Sequence, residues 1–516
     1  MNETMPAPTC LSCQRQAAVI AGLQQDLQRA LELNTLHEAR IKALEQKLGT
    51  NSNNSNRPPS TDPLNKPTST DKNRKKRHAR QAKGRKQGAQ PGHKPHKRTL
   101  VPDSDLAQCH VHKPLACKDC SAPLTGDDPE PVRHQIVELP PIKPHVIEHQ
   151  LHRLTCQGCG TGTRAMLPPD VSTSGYGPRL TAFVGLLTGA YRMAKRPAQR
   201  LLQEGFGVKM SLGTVVNLGY QCSQAVVEPV EQARHFVKEQ PVINADETSW
   251  KTAGQRRWLW VAVTRLVTVF LVSVSRSKAV AQDLLGTVVQ DADGTGDVVC
   301  QGTVGTDRCG SYAWVGLDKR QICWAHLRRD FQKMVDADDG LVDIGSSLIF
   351  EHDQIFSSWH QVRDGTLSRA EFARRIEPHQ RSVKSLLETG QGRRSSLSGM
   401  CAEILKVEGA LWSFVWRQGV EPTNNGAERA VRPGVQWRKA SGGSQSWQGE
   451  NFVARMLTLE ATLRSQGRDV LGYLTQAISA ARAGLPAPSL LPQSADEPSH
   501  RPSSEPADLA AIGLAG

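Results

Sequence analysis

The chain has 516 residues, with 64 Lys or Arg against 50 Asp or Glu and a formal net charge of +14. This length accommodates two to four domains, and the excess positive charge indicates a polyanionic partner or a membrane surface. The longest apolar run, from Trp258 to Val274, contains Arg265 and many β-branched residues, which predicts strands and no membrane span. Because the N-terminus lacks a secretory signal pattern, we expect a cytoplasmic protein whose 12 cysteines serve as metal ligands or buried thiols.

Residues 15–49 carry a heptad repeat and predict a coiled coil. Asn34 occupies a core position, and a polar residue there is typical of coiled coils that fix their register and dimeric state. We therefore expect a homodimer or higher oligomer through this segment; a single amphipathic helix packed on its own protein is the alternative. One seam position holds Ile20, Leu27, Asn34, Ile41 and Leu48, and the other holds Leu23, Ala30, His37 and Leu44.

Residues 50–100 predict a disordered linker followed by a basic arm. From Gly49 to Asp71 the chain is rich in Asn, Ser, Thr and Pro and offers almost nothing to bury. From Lys72 to Arg98 there are 12 Lys or Arg and no Asp or Glu, and Gly and Pro interrupt any long helix. Such a segment can follow a phosphate backbone or enter a groove, and a solvated charge run is the alternative. The residues expected to contact DNA are Arg74, Lys75, Lys76, Arg77, Arg80, Arg85 and Lys86.

Two Cys-x-x-Cys pairs in residues 101–170 predict a zinc ribbon, because a two-residue spacer lets both thiolates of a pair reach one tetrahedral Zn²⁺. The 35 residues between the pairs exceed the usual spacer. Alternating polar and apolar residues from Arg133 to Leu154 predict a hairpin inserted there. Four unrelated cysteines, or ligation by Cys109, His110 or His112, are the alternatives. The expected ligands are Cys117, Cys120, Cys156 and Cys159.

Residues 175–235 predict three short helices in a helix-turn-helix-like arrangement. They run from Leu180 to Tyr191, from Pro197 to Glu204 and from Ser211 to Gln224, with Ser211 as the N-cap of the third. In a helix-turn-helix the last helix enters the major groove of DNA. A plain helical region is the alternative.

Residues 240–465 predict an α/β domain with an all-helical insertion at about 331–420. A C-terminal segment of 466–491 and a disordered tail of 492–516 follow. The expected elements before the insertion are strands at Val242–Ala245, Arg256–Thr264, Thr268–Ser275 and Val298–Thr306, with a helix at Lys278–Leu285.

Three acidic residues stand at transitions between these elements. Asp246 follows the first strand, Asp307 follows a later strand, and Glu428 lies at a helix start after Asn424-Asn425. Phosphodiester chemistry without a covalent enzyme intermediate uses two divalent ions, and carboxylates suit Mg²⁺ or Mn²⁺. Capping or salt-bridging carboxylates are the alternative. Arg432, Arg438 and Lys439 follow Glu428 and are expected to bind DNA phosphate. The alternative is that they are ordinary solvent-exposed cations.

Three motifs resemble those of the insertion-sequence-66 family of bacterial DDE transposases. They are Ala245–Trp250 (ADETSW), Cys323–Arg329 (CWAHLRR) and Asn424–Pro433 (NNGAERAVRP). Their order behind a zipper-like start, a basic arm and two CxxC pairs is also similar to that family.

The resemblance implies an RNase H-like catalytic core in which Asp246, Asp307 and Glu428 bind Mg²⁺ or Mn²⁺. It further implies that the enzyme binds the terminal inverted repeats of its element, cuts their ends to free a 3′-hydroxyl, and joins that hydroxyl to target DNA. The implied partners are double-stranded DNA, a second copy of the chain and companion proteins of the element, at the bacterial nucleoid.

The residues around the second acid depart from the family pattern. The family usually has Asp-Gly, whereas Arg308 follows Asp307 here. Arg308 brings a positive charge that either contacts the scissile phosphate or impairs the enzyme, and Asp297 is the alternative second acid. The alternative function is therefore a catalytically impaired DNA-binding regulator derived from a transposase. A structure-selective nuclease on the same core is a third hypothesis.

Overall fold

The computed structural model describes residues 11–49, 99–168, 171, 173–288, 298–337 and 339–492. The predicted linker, all seven basic-arm residues, Asp297 and the predicted tail from residue 493 lie outside the described residues. The chain divides into a unit of Met1–Lys66, His149–Gln199 and Met210–Gly516 and a unit of Pro67–Glu148 and Arg200–Lys209. None of the helices in the described ranges combines the length and apolarity that crossing a bilayer requires.

Helix α1, Leu11–Gly49, covers the predicted coiled-coil segment as one 39-residue helix. Its described side chains are all exposed, including the seam residues Ile20, Leu27 and Ile41 at 56%, 62% and 55%. The helix is therefore confirmed, and the described part of its apolar seam does not pack on its own chain. Pairing with a second copy stays a prediction.

The predicted hairpin between the two cysteine pairs is wrong. The only regular strand between the pairs is the short β1, Arg153–Thr155, which pairs antiparallel with β2, Gly162–Arg164, beyond the second Cys-x-x-Cys. Alternating apolar residues such as Ile136 stay exposed, so no buried face rewards strand pairing. Instead, the side-chain amide of Gln135 bonds the backbone N–H and C=O of Val101 at 2.8 and 2.9 Å.

The four helices that follow are α2, Pro178–Thr188; α3, Lys195–Phe206; α4, Leu212–Ala225; and α5, Val227–Lys238. The predicted N-cap is confirmed, because the Ser211 hydroxyl accepts a hydrogen bond from the Thr214 N–H at 3.0 Å. Leu186 of α2 and Cys222 of α4 are buried in the same apolar cluster as Leu474, close to the C-terminus. Insertion of α4 into a DNA groove stays a prediction.

The strands of the larger unit that follow are β3, Val242–Thr252; β4, Gln255–Val263; β5, Thr268–Ser273; β6, Thr287–Val288; β7, Val298–Val299; β8, Thr303–Thr306; and β9, Arg320–Ile322. Five of them form a mixed sheet at the centre of this unit, in the order β5-β4-β3-β8-β9. Strands β3, β4 and β5 are an antiparallel meander, and β8 and β9 run parallel to β3. The short β6 and β7 pair separately, so the predicted strand from Val298 to Thr306 is interrupted. Helix α6, Lys278–Leu285, lies between β5 and β6 in the chain, as the sequence predicts.

Strand β3 continues through the acidic motif, whereas the sequence predicts its end at Ala245. A two-residue hairpin loop extends it, since Ala253 and Gly254 both have positive φ, 49° and 78°, as tight hairpins require. The parallel ladder with β8 nevertheless stops at Asn244. Asp246 therefore lies inside β3 but just beyond its pairing with β8.

A helical segment separates the sheet from the third acidic motif, as the sequence predicts. It comprises α7, Trp324–Asp336; α8, Val342–Arg363; α9, Arg369–Gly392; α10, Ser398–Leu405; and α11, Ser413–Trp416. These helices bury their own core, which includes Trp324 and Phe372. The segment also covers the edge of β9, because Ser413 donates to the Arg320 carbonyl at 2.7 Å.

Three further helices complete the larger unit: α12, Asn425–Ser441; α13, Trp447–Ser465; and α14, Val470–Arg482. Helix α12 lies close against the sheet at Gly434, where a Cβ atom would lie 2.3 Å from Leu259 Cδ2. Helix α13 covers the other sheet edge, since the Thr458 hydroxyl accepts the Phe270 N–H at 2.9 Å. The sheet is thus covered at both edges, and α12 is fixed on the face that carries Asp246.

Candidate carboxylate site

Asp246, Asp307 and Glu428 come together from three elements. The register pairs Asn244 of β3 with Gly305 of β8, so Asp246 and Asp307, each two residues further on, reach the same level of the sheet. Glu428 lies in the first turn of α12. Burial, and then the charges of Glu247, Asp307 and Glu428, raise the pKa of Asp246 well above its usual value.

Glu428 faces two side chains of α7. Its Oε1 atom lies 3.5 Å from Arg329 Nη2 and 3.4 Å from His326 Nδ1. Burial raises the pKa of Glu428, the Arg329 charge opposes that rise, and Asp307 adds to it. The CWAHLRR motif thus places His326 and Arg329 beside Glu428.

Asn424 connects the three sequence motifs at one point. Its side-chain amide donates to the Ala245 carbonyl at 2.7 Å, and its backbone N–H donates to Cys323 Sγ at 3.1 Å. Its carbonyl accepts the Glu428 N–H at 3.1 Å. At 1% exposure Asn424 is buried, so these bonds hold the start of α12 against β3 beside Asp246.

Glu247 points to the opposite face of β3 from Asp246 and is anchored there. Its carboxylate accepts hydrogen bonds from Arg276 Nε at 2.7 Å and from the Tyr312 hydroxyl. Burial and the Asp307 charge raise the pKa of Glu247, and Tyr312 and Arg276 oppose the rise. Glu247 therefore fixes the strand beneath Asp246, a role that the sequence does not indicate.

Arg308, the departure from the family pattern, forms an ion pair with Asp330 of α7. The two side chains are 23% and 12% exposed. Burial raises the pKa of Asp330, and the positive charge of Arg308 opposes that rise. The neighbouring Asp307 is fixed separately, because its Oδ1 accepts the Cys309 N–H at 2.8 Å. The charge of Arg308 is therefore balanced by a carboxylate other than the three acids.

The cations that follow Glu428 occupy different environments. Arg438 is turned inward and donates to Ser249 and, at 3.3 Å, to the Thr248 hydroxyl, which links α12 to β3. Arg432 and Lys439 are exposed. The positive charge of Arg432 opposes the burial-driven rise in the pKa of Glu428, which indicates that Arg432 lies near that carboxylate.

His326 is neutral at neutral pH in this environment. Burial, and then the charges of Arg329 and Arg308, lower its pKa to about 4 against the opposing effect of Asp307. Burial raises the pKa of the Cys323 thiol to about 11. Across the described ranges, Cys323, His326 and Glu428 are the group whose possible metal-ligand atoms all lie within 4.8 Å of one another.

The two Cys-x-x-Cys pairs share one local backbone geometry. The Cys117 carbonyl accepts the Ser121 N–H, and the Cys156 carbonyl accepts the Gly160 N–H, both at 2.9 Å. Ser121 and Gly160 have φ of 59° and 73°, and each closes its turn. Hydrogen bonds lower the pKa of both Cys117 and Cys159. The largest contribution comes from the Cys120 backbone for Cys117 and from the Thr161 side chain for Cys159. Such turns favour the thiolate form that zinc binds.

Comparisons with known proteins agree with these observations. The family model described as "zinc-finger binding domain of transposase IS66" matches residues 114–160, and a family of unknown function matches residues 12–99. The "Uncharacterized protein y4qI" of Sinorhizobium fredii (strain NBRC 101917 / NGR234) is 30% identical over 178 residues, which cover 32% of this chain and 31% of that protein. The shared region thus spans about a third of that relative. The model described as "Transposase IS66 family" matches residues 174–451, more than half of the chain, which therefore belongs to the IS66 family of transposases.

Proposed function

We propose that this chain is an active DDE transposase that binds the terminal inverted repeats of its insertion sequence and catalyses metal-dependent DNA cleavage and strand transfer. The observation that supports this most directly is the convergence of Asp246, Asp307 and Glu428 on one side of the mixed sheet. The sheet supports an RNase H-like core, since its central strand carries the first acid and the adjacent parallel strand ends at the second.

The three acids suit Mg²⁺ or Mn²⁺. They offer only carboxylate oxygens, which hard divalent ions prefer, and their mutual repulsion contributes to the raised pKa values of Asp246 and Glu428. A cation held by Asp246, Asp307 and Glu428 would remove that repulsion. Bound there, two such ions would assist the attacking and the leaving oxygen of a phosphodiester exchange.

The surrounding residues keep the three carboxylates in position before DNA binds. Asn424 ties Glu428 to the strand of Asp246, and Glu247 anchors that strand to Arg276 and Tyr312. A site whose groups are already oriented loses less free energy to reorganisation during the reaction. The exposed Arg432, one helical turn beyond Glu428, is suited to hold a DNA phosphate at the site.

The remaining segments supply DNA binding and assembly in this proposal. The zinc ribbon of residues 101–170 and the basic arm contact the element ends in the bacterial nucleoid. The ribbon holds its zinc through Cys117, Cys120, Cys156 and Cys159. Helix α1 joins two copies of the chain. Companion proteins of the element are further partners in this proposal.

The alternative of a catalytically impaired regulator depends on Arg308. In the structure Asp330 balances the charge of Arg308, so the residue has a partner other than the catalytic carboxylates. This contact favours the active enzyme over the regulator. A structure-selective nuclease would cut DNA that lacks the element ends.

A Mn²⁺-dependent nicking assay tests the proposal on labelled DNA that carries the inverted repeats flanking the reading frame. The wild type should cut these ends, and Asp246→Asn should abolish cutting while end binding in a gel-shift assay persists. Asp343→Asn is the matched control, because Asp343 is an exposed acid in the first turn of α8. Cutting by Asp246→Asn would contradict the site, and end binding by an inactive wild type would support the regulator.

A further inference from the structure

We propose that His326 is a nitrogen ligand on the Glu428 side of the carboxylate site. This side would then take a first-row transition ion such as Mn²⁺ more readily than Mg²⁺. The inference rests on the proposed function, because it deepens the metal chemistry of the same site.

The geometry around Glu428 carries the inference. His326 Nδ1 lies 3.4 Å from Glu428 Oε1. Two ligand atoms about 2.1 Å from one ion lie about 3.0 Å apart in octahedral geometry and about 3.4 Å apart in tetrahedral geometry. The imidazole nitrogen and the carboxylate oxygen are therefore separated by a distance that one ion can bridge.

His326 Nδ1 is a buried polar atom that lacks a hydrogen-bond partner among the described residues. Its approach to Glu428 is short enough for an ion pair but does not have hydrogen-bond geometry. An unsatisfied buried nitrogen destabilises the folded chain, so such atoms are retained where they serve a ligand or a reaction. Coordination would use this lone pair.

The other neighbours of Glu428 are already engaged. In the group of Cys323, His326 and Glu428, Cys323 Sγ accepts the Asn424 N–H at 3.1 Å, whereas His326 Nδ1 has no hydrogen-bond partner among the described residues. Arg329 faces the same carboxylate oxygen at 3.5 Å, and its charge opposes the rise in the pKa of Glu428. The side chains of α7 thus offer Glu428 one neutral donor and one cation.

A nitrogen donor changes the metal preference in a predictable direction. Mg²⁺ binds oxygen almost exclusively, whereas mixed nitrogen and oxygen sites favour first-row transition ions. Asp246 and Asp307 contribute oxygen alone, so His326 gives the Glu428 side a different preference.

Pulsed electron paramagnetic resonance of Mn²⁺ bound to the full-length, zinc-loaded chain tests the proposal directly. The wild type, prepared with ¹⁵N-histidine, should show nitrogen coupling to Mn²⁺, and His326→Gln should abolish it. In a binding titration His326→Gln should weaken Mn²⁺ by about tenfold or more, the loss that even outer-shell partners cause, and should change Mg²⁺ affinity less. His360→Gln, an exposed histidine in the last turn of α8, is the matched control and should change neither measurement.

The outcomes separate this inference from the proposed function. Mn²⁺ that is lost in Asp246→Asn, yet shows no nitrogen coupling in the wild type, would overturn the His326 assignment alone. Coupling that persists in His326→Gln would overturn it as well. A wild type that binds no Mn²⁺ would overturn both the assignment and the carboxylate site. The wild-type measurement decides the assignment even where the variant fails to fold.

Discussion

Asp246 is a carboxylate that folding buries beside other acids. Burial is the main cause of its raised pKa, and the charges of Glu247, Asp307 and Glu428 add to it. Sites arranged in this way favour function at the expense of stability. Without a bound cation, the charged form of Asp246 should therefore lower the free energy of unfolding.

Asp246→Asn should stabilise the metal-free chain by about 1 to 2 kcal/mol at neutral pH, because it removes a buried charge without changing the side-chain shape. A raised folded pKa means that the folded wild type binds more protons than the unfolded chain, so its stability falls as pH rises from about 3.8 through the folded pKa. Thermal unfolding in a chelator should therefore show a larger gain at pH 8 than at pH 5. An equal gain at both values, or one matched by Asp343→Asn, would contradict this.

A second feature at the scale of single residues is the Arg308–Asp330 ion pair. Both side chains are mostly buried, and removing one partner leaves the other as an uncompensated charge. Arg308→Met should lower the free energy of unfolding by about 3 kcal/mol, and adding Asp330→Leu should restore most of it. Denaturant titration measures both effects.

Arg374→Met is the control for that experiment, since Arg374 pairs with Glu371 at the surface and is 76% exposed. It should change stability by less than about 0.5 kcal/mol. If Arg308→Met is equally mild, Arg308 is not held by Asp330 and its role beside Asp307 must be reconsidered.

At the scale of elements, the periodicity of apolar residues predicts the strands and helices that local interactions determine. The β-branched runs around Ile243 and Phe270 form strands, and the segment after Phe331 is helical, as the sequence indicates. The hairpin predicted from Arg133 to Leu154 fails because alternation alone supplies no buried face. The extension of β3 to Thr252 depends on pairing with β4, which the acidic motif does not reveal.

The residues around the site are predictable to different degrees. The sequence motifs alone are enough to predict Asp246, Asp307 and Glu428 as the three acids of the site. The contacts of Asn424 with Ala245 and of His326 with Glu428 span about a hundred residues or more of chain, so no periodicity encodes them. Long-range supporting contacts of this kind follow from the tertiary fold.

The cysteine turns give a prediction of their own. Purified protein should hold about one zinc per chain, and a Cys117→Ser and Cys156→Ser double variant should lose it, since each turn would contribute two of four thiolates. Metal analysis by mass spectrometry measures this. Cys109→Ser is the control, because Cys109 is exposed and close in sequence to the first pair. Zinc loss in Cys109→Ser would instead favour the alternative ligand set.

At the scale of the whole molecule, the proposed strand transfer needs two element ends held together, and a single chain offers one carboxylate site among its described residues. Helix α1 is the element suited to join two chains. It is 39 residues long, and its described side chains are all exposed. The described side chains of α1 are therefore not stabilised by packing on the described part of the chain, and in proteins most helix stability comes from packing of an apolar face.

Leu27→Lys together with Ile41→Lys should therefore convert a dimer, or a higher oligomer, to a smaller species, because two charges would enter the apolar seam of each helix. Light scattering coupled to size-exclusion chromatography measures the mass at micromolar concentration. Gln28→Lys adds a charge next to the seam and should leave the mass unchanged, since Gln28 is exposed and bonds only Glu32 at 3.3 Å among the described contacts of its side chain. An unchanged mass in the double variant would show that α1 does not join the chains, and a mass lost equally in Gln28→Lys would show that the seam does not specify the contact.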